Sequence, residues 1–221
     1  MSAHYEGLTF ERPGHATVRI ETDDGQVIYV DPWSDVLEPE PHDADVVLVT
    51  HDDFDHYDPE GIVAVAKPDA TIVAYSAIDV SDLDREVIGI GEEEAKTIDG
   101  IDVHSIRAYN EADGDHVDDG GDPFHARGEV IGLLLTFDDV TVFYASDTDV
   151  LDVHRTLFVD VFAPPIGGHF TMDRHEAADL AETLEPDLVL PVHYDTFEAI
   201  ETDAEAFAAD LEEKGIEVEL F

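Results

Sequence analysis

The chain has 221 residues, with 55 acidic against 10 basic side chains, a formal net charge of −45 and no cysteine. Disulfides, thiolate nucleophiles and Cys-ligated zinc are excluded, and so much negative charge disfavours nucleic acid phosphates and anionic membranes as partners. Because 43% of the residues are hydrophobic and the acids are spread among them, the composition describes a folded core under an acidic skin and not a disordered chain.

At this length one domain spanning residues 1–221 is expected, burying roughly 70 to 75% of its unfolded surface. Self-repulsion of the charge would loosen the fold at ordinary ionic strength, while multimolar salt shortens screening from about 8 Å to about 3 Å. The composition therefore reads as that of a halophile, the duller alternative being an acidic protein from an ordinary cell. The start, Met1-Ser2-Ala3-His4-Tyr5-Glu6, lacks the pattern of a signal peptide, and no apolar run approaches the ~20 residues of a membrane span. A soluble cytoplasmic protein is expected.

In chain order, Ala16 to Glu21 and Gln26 to Val30 read as strands around the Asp23-Asp24-Gly25 hairpin signal, with Asp31-Pro32-Trp33 ending the second. Val46 to Thr50 is a buried strand. Asp58-Pro59-Glu60 supplies a cap, a first-turn proline and a first-turn acid for a helix through about Ala66. Thr71 to Ala74 is the next strand, and Val87 to Asn110 carries strand pattern around Asp99-Gly100. The segment from Glu111 to Pro123 is too polar and glycine-rich to pack, and loops of that length are often functional. Strands follow at Val130 to Phe137, Val140 to Tyr144 and Val159 to Ala163, then a helix capped by Asp173 and running to about Leu184. Leu188 to Leu190 is a strand, Asp203 to Lys214 a helix ended by Gly215, and Ile216 to Leu220 closes the chain. This order suits two packed sheets with helices outside, an α+β arrangement, and the sequence carries no repeat of 20 to 50 residues.

The chemistry concentrates in Thr50-His51-Asp52-Asp53-Phe54-Asp55-His56, directly after the apolar run from Val46 to Val49. Imidazoles and carboxylates crowded at the end of a buried strand each need a partner, and a metal ion satisfies several at once. Further metal-capable residues recur where strands run out: His125 before Val130, Asp147 after Val142 to Ser146, and His193 after Leu188 to Val192. Strand ends bring side chains to one rim of a sheet, so these can converge without sharing a local sequence.

His51-Asp52-Asp53-Phe54-Asp55-His56 resembles the HxHxDH signature of the metallo-β-lactamase superfamily, with Asp53 standing at its second histidine. The similarity continues in Ala108-Tyr109-Asn110, His125-Ala126-Arg127-Gly128 and Ser146-Asp147-Thr148-Asp149, where relatives often have glycine at the first position. It extends to Gly167-Gly168-His169-Phe170-Thr171-Met172-Asp173 and Pro191-Val192-His193-Tyr194, features typical of the branch that includes ascorbate-6-phosphate lactonase-like proteins.

The resemblance implies a four-layer αββα sandwich with a two-metal site at its edge. His51, Asp53 and His125 would hold the first metal, Asp55, His56 and His193 the second, and Asp147 would bridge them. Imidazole and carboxylate ligands suit zinc first, with manganese or iron as alternatives; two such ions about 3.5 to 4 Å apart can share a hydroxide. Asp55 would orient the attacking water, and His169, or Tyr194, would touch substrate or donate a proton. A carboxylate at Asp53 adds negative charge and a harder ligand, shifting preference from zinc toward manganese or iron. The change to Ser146 affects only how the turn before Asp147 is made. His4, His15, His42, His104, His154 and His175 read as structural or surface residues, and His116 is open between a substrate-side role and none.

The reading is a metal-dependent hydrolase acting through a metal-bridging hydroxide on a small-molecule ester, lactone or phosphate ester. A nuclease or phosphodiesterase is the second reading, disfavoured by the scarcity of Lys and Arg. The third is a metal-binding protein whose catalysis Asp53 has weakened. Self-association into a homo-oligomer stays open. One expectation follows from charge alone: the thermal midpoint should rise from low to multimolar KCl, and a flat or falling midpoint in calorimetry would remove the salt-adapted reading.

Overall fold

The computed structural model describes residues 2–37 and 40–221. Strands β1 (Ser2–Tyr5), β2 (Leu8–Gly14), β3 (Thr17–Thr22) and β4 (Val27–Val30) pair antiparallel in succession. The sheet then continues in parallel through β5 (Ala44–Val49), β6 (Ala66–Tyr75) and β7 (Val87–Ile90). A short helix, α1 (Pro59–Val65), makes the crossover from β5 to β6. The second sheet repeats the plan. Strands β8 (Ala95–Ile98), β9 (Ile101–Ala108), β10 (Val130–Phe137) and β11 (Val140–Tyr144) are antiparallel neighbours, and β12 (Val161–Ala163), β13 (Leu188–Val189) and β14 (Glu217–Val218) add in parallel. The expected architecture of two packed mixed sheets is the one observed, with seven strands in each. The shared order of the two halves is invisible to a search for short repeats, because it is a likeness of pairing and not of residues.

Alternation explains the faces. In β9, Ile101, Val103 and Ser105 are buried while Asp102 and His104 are exposed, the period of two of a strand with one wet side. Between the sheets, Phe10, Val18, Ile20 and Val30 of the first meet Leu135, Val142, Tyr144 and Ala163 of the second in one apolar cluster. The other face of the second sheet is closed by α2 (Arg174–Leu184) and α3 (Ala204–Glu212), whose Leu180, Leu184, Phe207 and Leu211 cluster with Phe143, Phe162 and Val189. Phe143 and Phe162 stack with centroids 5.5 Å apart, and each contributes about 1.5–3 kcal/mol by leaving water. No helix among the described residues is long and apolar enough to cross a membrane.

Local chemistry sets the helix ends. Asp58 caps α1 by accepting from the Glu60 amide, Pro59 occupies its first turn, and the other Asp58 oxygen accepts from the Ser34 amide. Gly61 lets this helix press on the preceding loop: a Cβ there would sit 2.1 Å from the Pro32 carbonyl oxygen. Asp173 and Glu176 form a reciprocal capping box on α2.

The segment from Glu111 to Pro123 departs from expectation, because it is anchored and not free of packing. His116 is buried and bonds Asp149 at 2.7 Å through Nδ1, and Val117 bridges Pro123. The pairing with Asp149 raises the His116 pKa and resolves this histidine as a tether of the loop. Strand β6 also begins earlier than its apolar core suggests.

His154 is buried as expected of a structural histidine. Its Nε2 lies 2.7 Å from the Arg107 carbonyl and its Nδ1 accepts from the Leu151 amide at 3.2 Å, so only the neutral ring fits both partners. Burial pushes its pKa down to about 4. The unfolded chain takes up a proton below about 6.5 and the folded chain does not until near 4, so this contribution is intact above 6.5 and is lost as pH falls between the two. The loss should reach at most about 3 kcal/mol. Urea midpoints measured from pH 7.5 to 4.5 should therefore fall less steeply for His154→Gln than for the parent chain; equal slopes would contradict the assignment.

Candidate metal centre

The parallel strands of both sheets end on one edge of the sandwich, and the turns that leave them carry the polar residues. Strand β4 ends in Asp31, β5 in Thr50 and the run from His51 to His56, β11 in Ser146 and Asp147, and the segment after β13 in His193. His125 enters from the loop ahead of β10, and His15 from the turn between β2 and β3. Asp31, Ser146, His193 and His15 all have positive φ, between 46° and 60°, in the left-handed region that non-glycine residues rarely adopt.

All seven proposed ligands meet here. Asp147 is central: its Oδ2 lies 3.0 Å from His193 Nε2, 3.6 Å from His125 Nε2 and 3.9 Å from His51 Nε2. Its Oδ1 lies 3.4 Å from His56 Nε2. Asp53 stands where the superfamily motif has its second histidine, its Oδ2 3.1 Å from His125 Nε2 and 3.7 Å from His51 Nε2. One ligand atom each from His51, Asp53 and His125 falls within 4.8 Å of the others, and the same holds for His15, Asp55, His56 and His193.

Three imidazoles are oriented by acceptors behind them. His56 Nδ1 lies 2.8 Å from Asp31 Oδ2, His51 Nδ1 3.0 Å from Thr50 Oγ1, and His125 Nδ1 3.1 Å from Asn110 Oδ1. The Thr50 hydroxyl donates its own proton to Asp31, and the Asn110 amide spends its N–H groups on Asp149 and the Phe170 carbonyl. Each acceptor therefore takes Nδ1–H and aims Nε2 inward, where a metal can bind it in place of any proton it carries. Among the described residues, His51 Nε2, His56 Nε2 and Asp147 Oδ1 are buried with no hydrogen-bond partner, since the contact between the last two is not aligned as a bond. Buried polar atoms in that condition are costly, and a cation among them satisfies all three. The donor set thus fits a divalent metal.

Electrostatics agree. Burial alone would push His56 down, but the carboxylates of Asp147 and Asp31 outweigh it and hold the ring well above its ordinary pKa. Burial would raise Asp147, yet His193 and His56 keep it well below the carboxylate range. The hydrogen bond from His125, with the His51 ring beside it, holds Asp53 below the carboxylate range.

Two residues at the site were missed by sequence reasoning. Asp31, read as a strand end and given no role in the site, is fully buried and accepts from the Thr50 amide, the Thr50 hydroxyl, His56 and the Tyr144 hydroxyl. His15, read as structural or surface, holds Asp55 through Nε2 at 2.9 Å and lies 4.2 Å from the His193 ring. Burial, partly opposed by Asp55, lowers its pKa to about 4, so the ring is neutral and its Nδ1 accepts from Thr196 Oγ1 at 3.1 Å. An apolar stretch leading into Asp31 and the Gly14-His15 turn were the available signals; neither has the spacing of a ligand pair. Of the other residues marked beforehand, His169 is exposed on the rim against Phe124 and Phe170, and Tyr194 is packed under the Arg12 guanidinium at 3.9 Å. Ser146 adopts the left-handed turn and also donates to Thr50 Oγ1 at 2.8 Å, so it supports the site as well as shaping the turn.

The family model described as a beta-lactamase superfamily domain matches residues 10–193, and the chain belongs to that superfamily. Its relatives are UPF0173 metal-dependent hydrolases. One from Thermococcus kodakarensis is 34% identical over 209 residues, covering 88% of each chain. Another from Methanopyrus kandleri is 30% identical over 220 residues, covering 94% of this chain and 93% of the relative. The crystal structure of a Parabacteroides distasonis protein superposes with a TM-score of 0.83 at 26% identity, covering 99% of this chain and 97% of that one.

Asp31→Ala would strand the Thr50 amide, the His56 Nδ1 and the Tyr144 hydroxyl in the interior. Loss of about 3–5 kcal/mol in urea unfolding is expected, and a change below about 1 kcal/mol would refute the role given to this carboxylate.

Proposed function

We propose that this chain is a metal-dependent hydrolase of a small molecule, with His51, Asp53, Asp55, His56, His125, Asp147 and His193 as its metal ligands and Asp147 shared between two ions. The observation that carries the reading is the inward turn of the unpartnered Nε2 atoms of His51 and His56 toward the Asp147 carboxylate, whose Oδ1 is equally unpartnered. Zinc is the first candidate, with manganese or iron favoured by the carboxylate at Asp53. Bound ions of this kind supply Lewis acidity, which polarises the scissile carbonyl or phosphoryl group and brings the pKa of water from 15.7 toward about 7.

The remaining steps belong to the chain. Asp55 opens onto the cavity beside Asp147 and is held by His15, whose N–H keeps one carboxylate oxygen fixed. The other oxygen would hold the ion and accept from a water beside it, orienting that water for attack. Burial would raise Asp55, but His15 and His56 lower it overall, so it stays ionised for that task. His169, exposed at the mouth next to Phe170, is the group proposed to return a proton to the leaving oxygen. Lactones remain among the candidate substrates through the resemblance to the lactonase-like branch. The nuclease reading is the weaker one, because among the described residues no Lys or Arg lines the cavity.

Reconstitution with Zn, Mn or Fe should load the protein and give turnover on a panel of esters, lactones and phosphodiesters. Asp147→Ala and His193→Ala should each lower metal content by elemental analysis and abolish turnover together, whereas His175→Ala, on the exposed face of α2, should do neither. A parent protein that retains no metal would sink the hydrolase reading; one that binds metal without turnover would favour the weakened-catalysis alternative.

A further inference from the structure

The cavity over the candidate metal centre has a volume of about 280 Å³. Its floor is formed by Asp53, Asp55, His125, Asp147 and His193, and its walls by Phe54, Phe170, Phe197 and Ala199. The walls are aromatic on both sides. Phe54 and Phe197 lie 6.5 Å apart and each meets the Trp33 ring at 5.9 Å; opposite them, Phe170 packs edge-on to Phe124 at 4.9 Å. Phe54 is 67% exposed and Phe197 37%, so large apolar surface is left in water at the mouth. Scattered exposed apolar residues need no explanation, but convergence around one cavity does.

Charge points the same way. None of the chain's 10 basic residues lines the cavity. Four carboxylates, Asp31, Asp53, Asp55 and Asp147, surround the proposed metal positions, so the four positive charges of two divalent ions would only be neutralised. No surplus remains for a phosphate, and the protein around the site carries −45. Placing phosphoryl oxygens against phenylalanine rings without a donor also costs several kcal/mol.

Resting on the hydrolase reading above, we propose that the site selects an uncharged carboxylic ester or lactone with a hydrophobic body, and discriminates against phosphate esters. An apolar cavity of about 150 Å³ accommodates benzene, so the volume here suffices for a ring or short alkyl chain plus the reacting carboxyl group. The water oxygen joins the acyl carbon, the acyl–oxygen bond breaks with its electron pair going to the leaving oxygen, and one water proton ends on that oxygen. Phe54 and Phe197 grip the body of the substrate while the floor holds the carbonyl.

Two measurements on the metal-reconstituted chain in multimolar KCl decide it. In the first, kcat/KM for 4-nitrophenyl butyrate should exceed that for 4-nitrophenyl phosphate and bis(4-nitrophenyl) phosphate at least tenfold, and Phe54→Ser with Phe197→Ser should raise KM for the butyrate several-fold more than for the acetate. The second uses the emission of Trp33, the single tryptophan. It should respond saturably to the neutral probe 4-phenylbutan-2-one and not to phenyl phosphate, and the response should weaken in the double variant. Equal or better turnover of either phosphate ester, or equal binding of the two probes, would overturn the selectivity. Absence of all turnover with selective ketone binding intact would instead remove the hydrolase reading and leave the preference of the cavity standing.

Discussion

The structure hangs on one buried carboxylate. Asp31 terminates β4 and is fully out of water, a position that would cost several kcal/mol for an unpaired ion. It is affordable only because donors from both sheets converge on it: Thr50 at the end of β5 and His56 from the first, Tyr144 at the end of β11 from the second. The same oxygens that join the sheets also fix the His56 tautomer. Fold and site are therefore not separable at this residue, since the bond that closes the sandwich is the one that aims the imidazole.

Backbone geometry shows a related compromise. His15, Asp31, Ser146 and His193 all occupy the left-handed region, at a cost of order 1 kcal/mol each for non-glycine residues. Each turns the chain sharply as it enters or leaves a strand, which swings a side chain toward the seam between sheets. The strain is offset locally, by the Ser146 hydroxyl on Thr50 and by the His193 amide on the His15 carbonyl at 3.0 Å. Glycine at these positions would relieve the backbone and forfeit the side-chain contacts, the Ser146 hydroxyl on Thr50 among them.

What could be read from the sequence follows from how local the information is. The run from His51 to His56 announces itself because its side chains are neighbours in the chain, and Asp147, His125 and His193 stand out as polar residues next to apolar strands. Asp31 and His15 do not, because a hydrogen bond between an imidazole and a carboxylate on distant segments leaves no periodicity. His116 was ambiguous for the same reason: its partner Asp149 is 33 positions away. Strand and helix positions were legible where alternation or caps were clean, as at β9, Asp58 and Asp173. The limits of β6 and the matching plan of the two sheets were not, because pairing partners are chosen by tertiary contact.

That matching plan has a consequence for the ions themselves. The first sheet and its turns supply His51, Asp53, Asp55 and His56; the second supplies His125, Asp147 and His193. On the proposed ligand assignment neither half holds a complete set, so an ion at the seam is a rivet driven through both leaves of the sandwich. Its binding free energy is then shared with the docking of one half on the other, and chelation acts on the whole interface instead of a single loop.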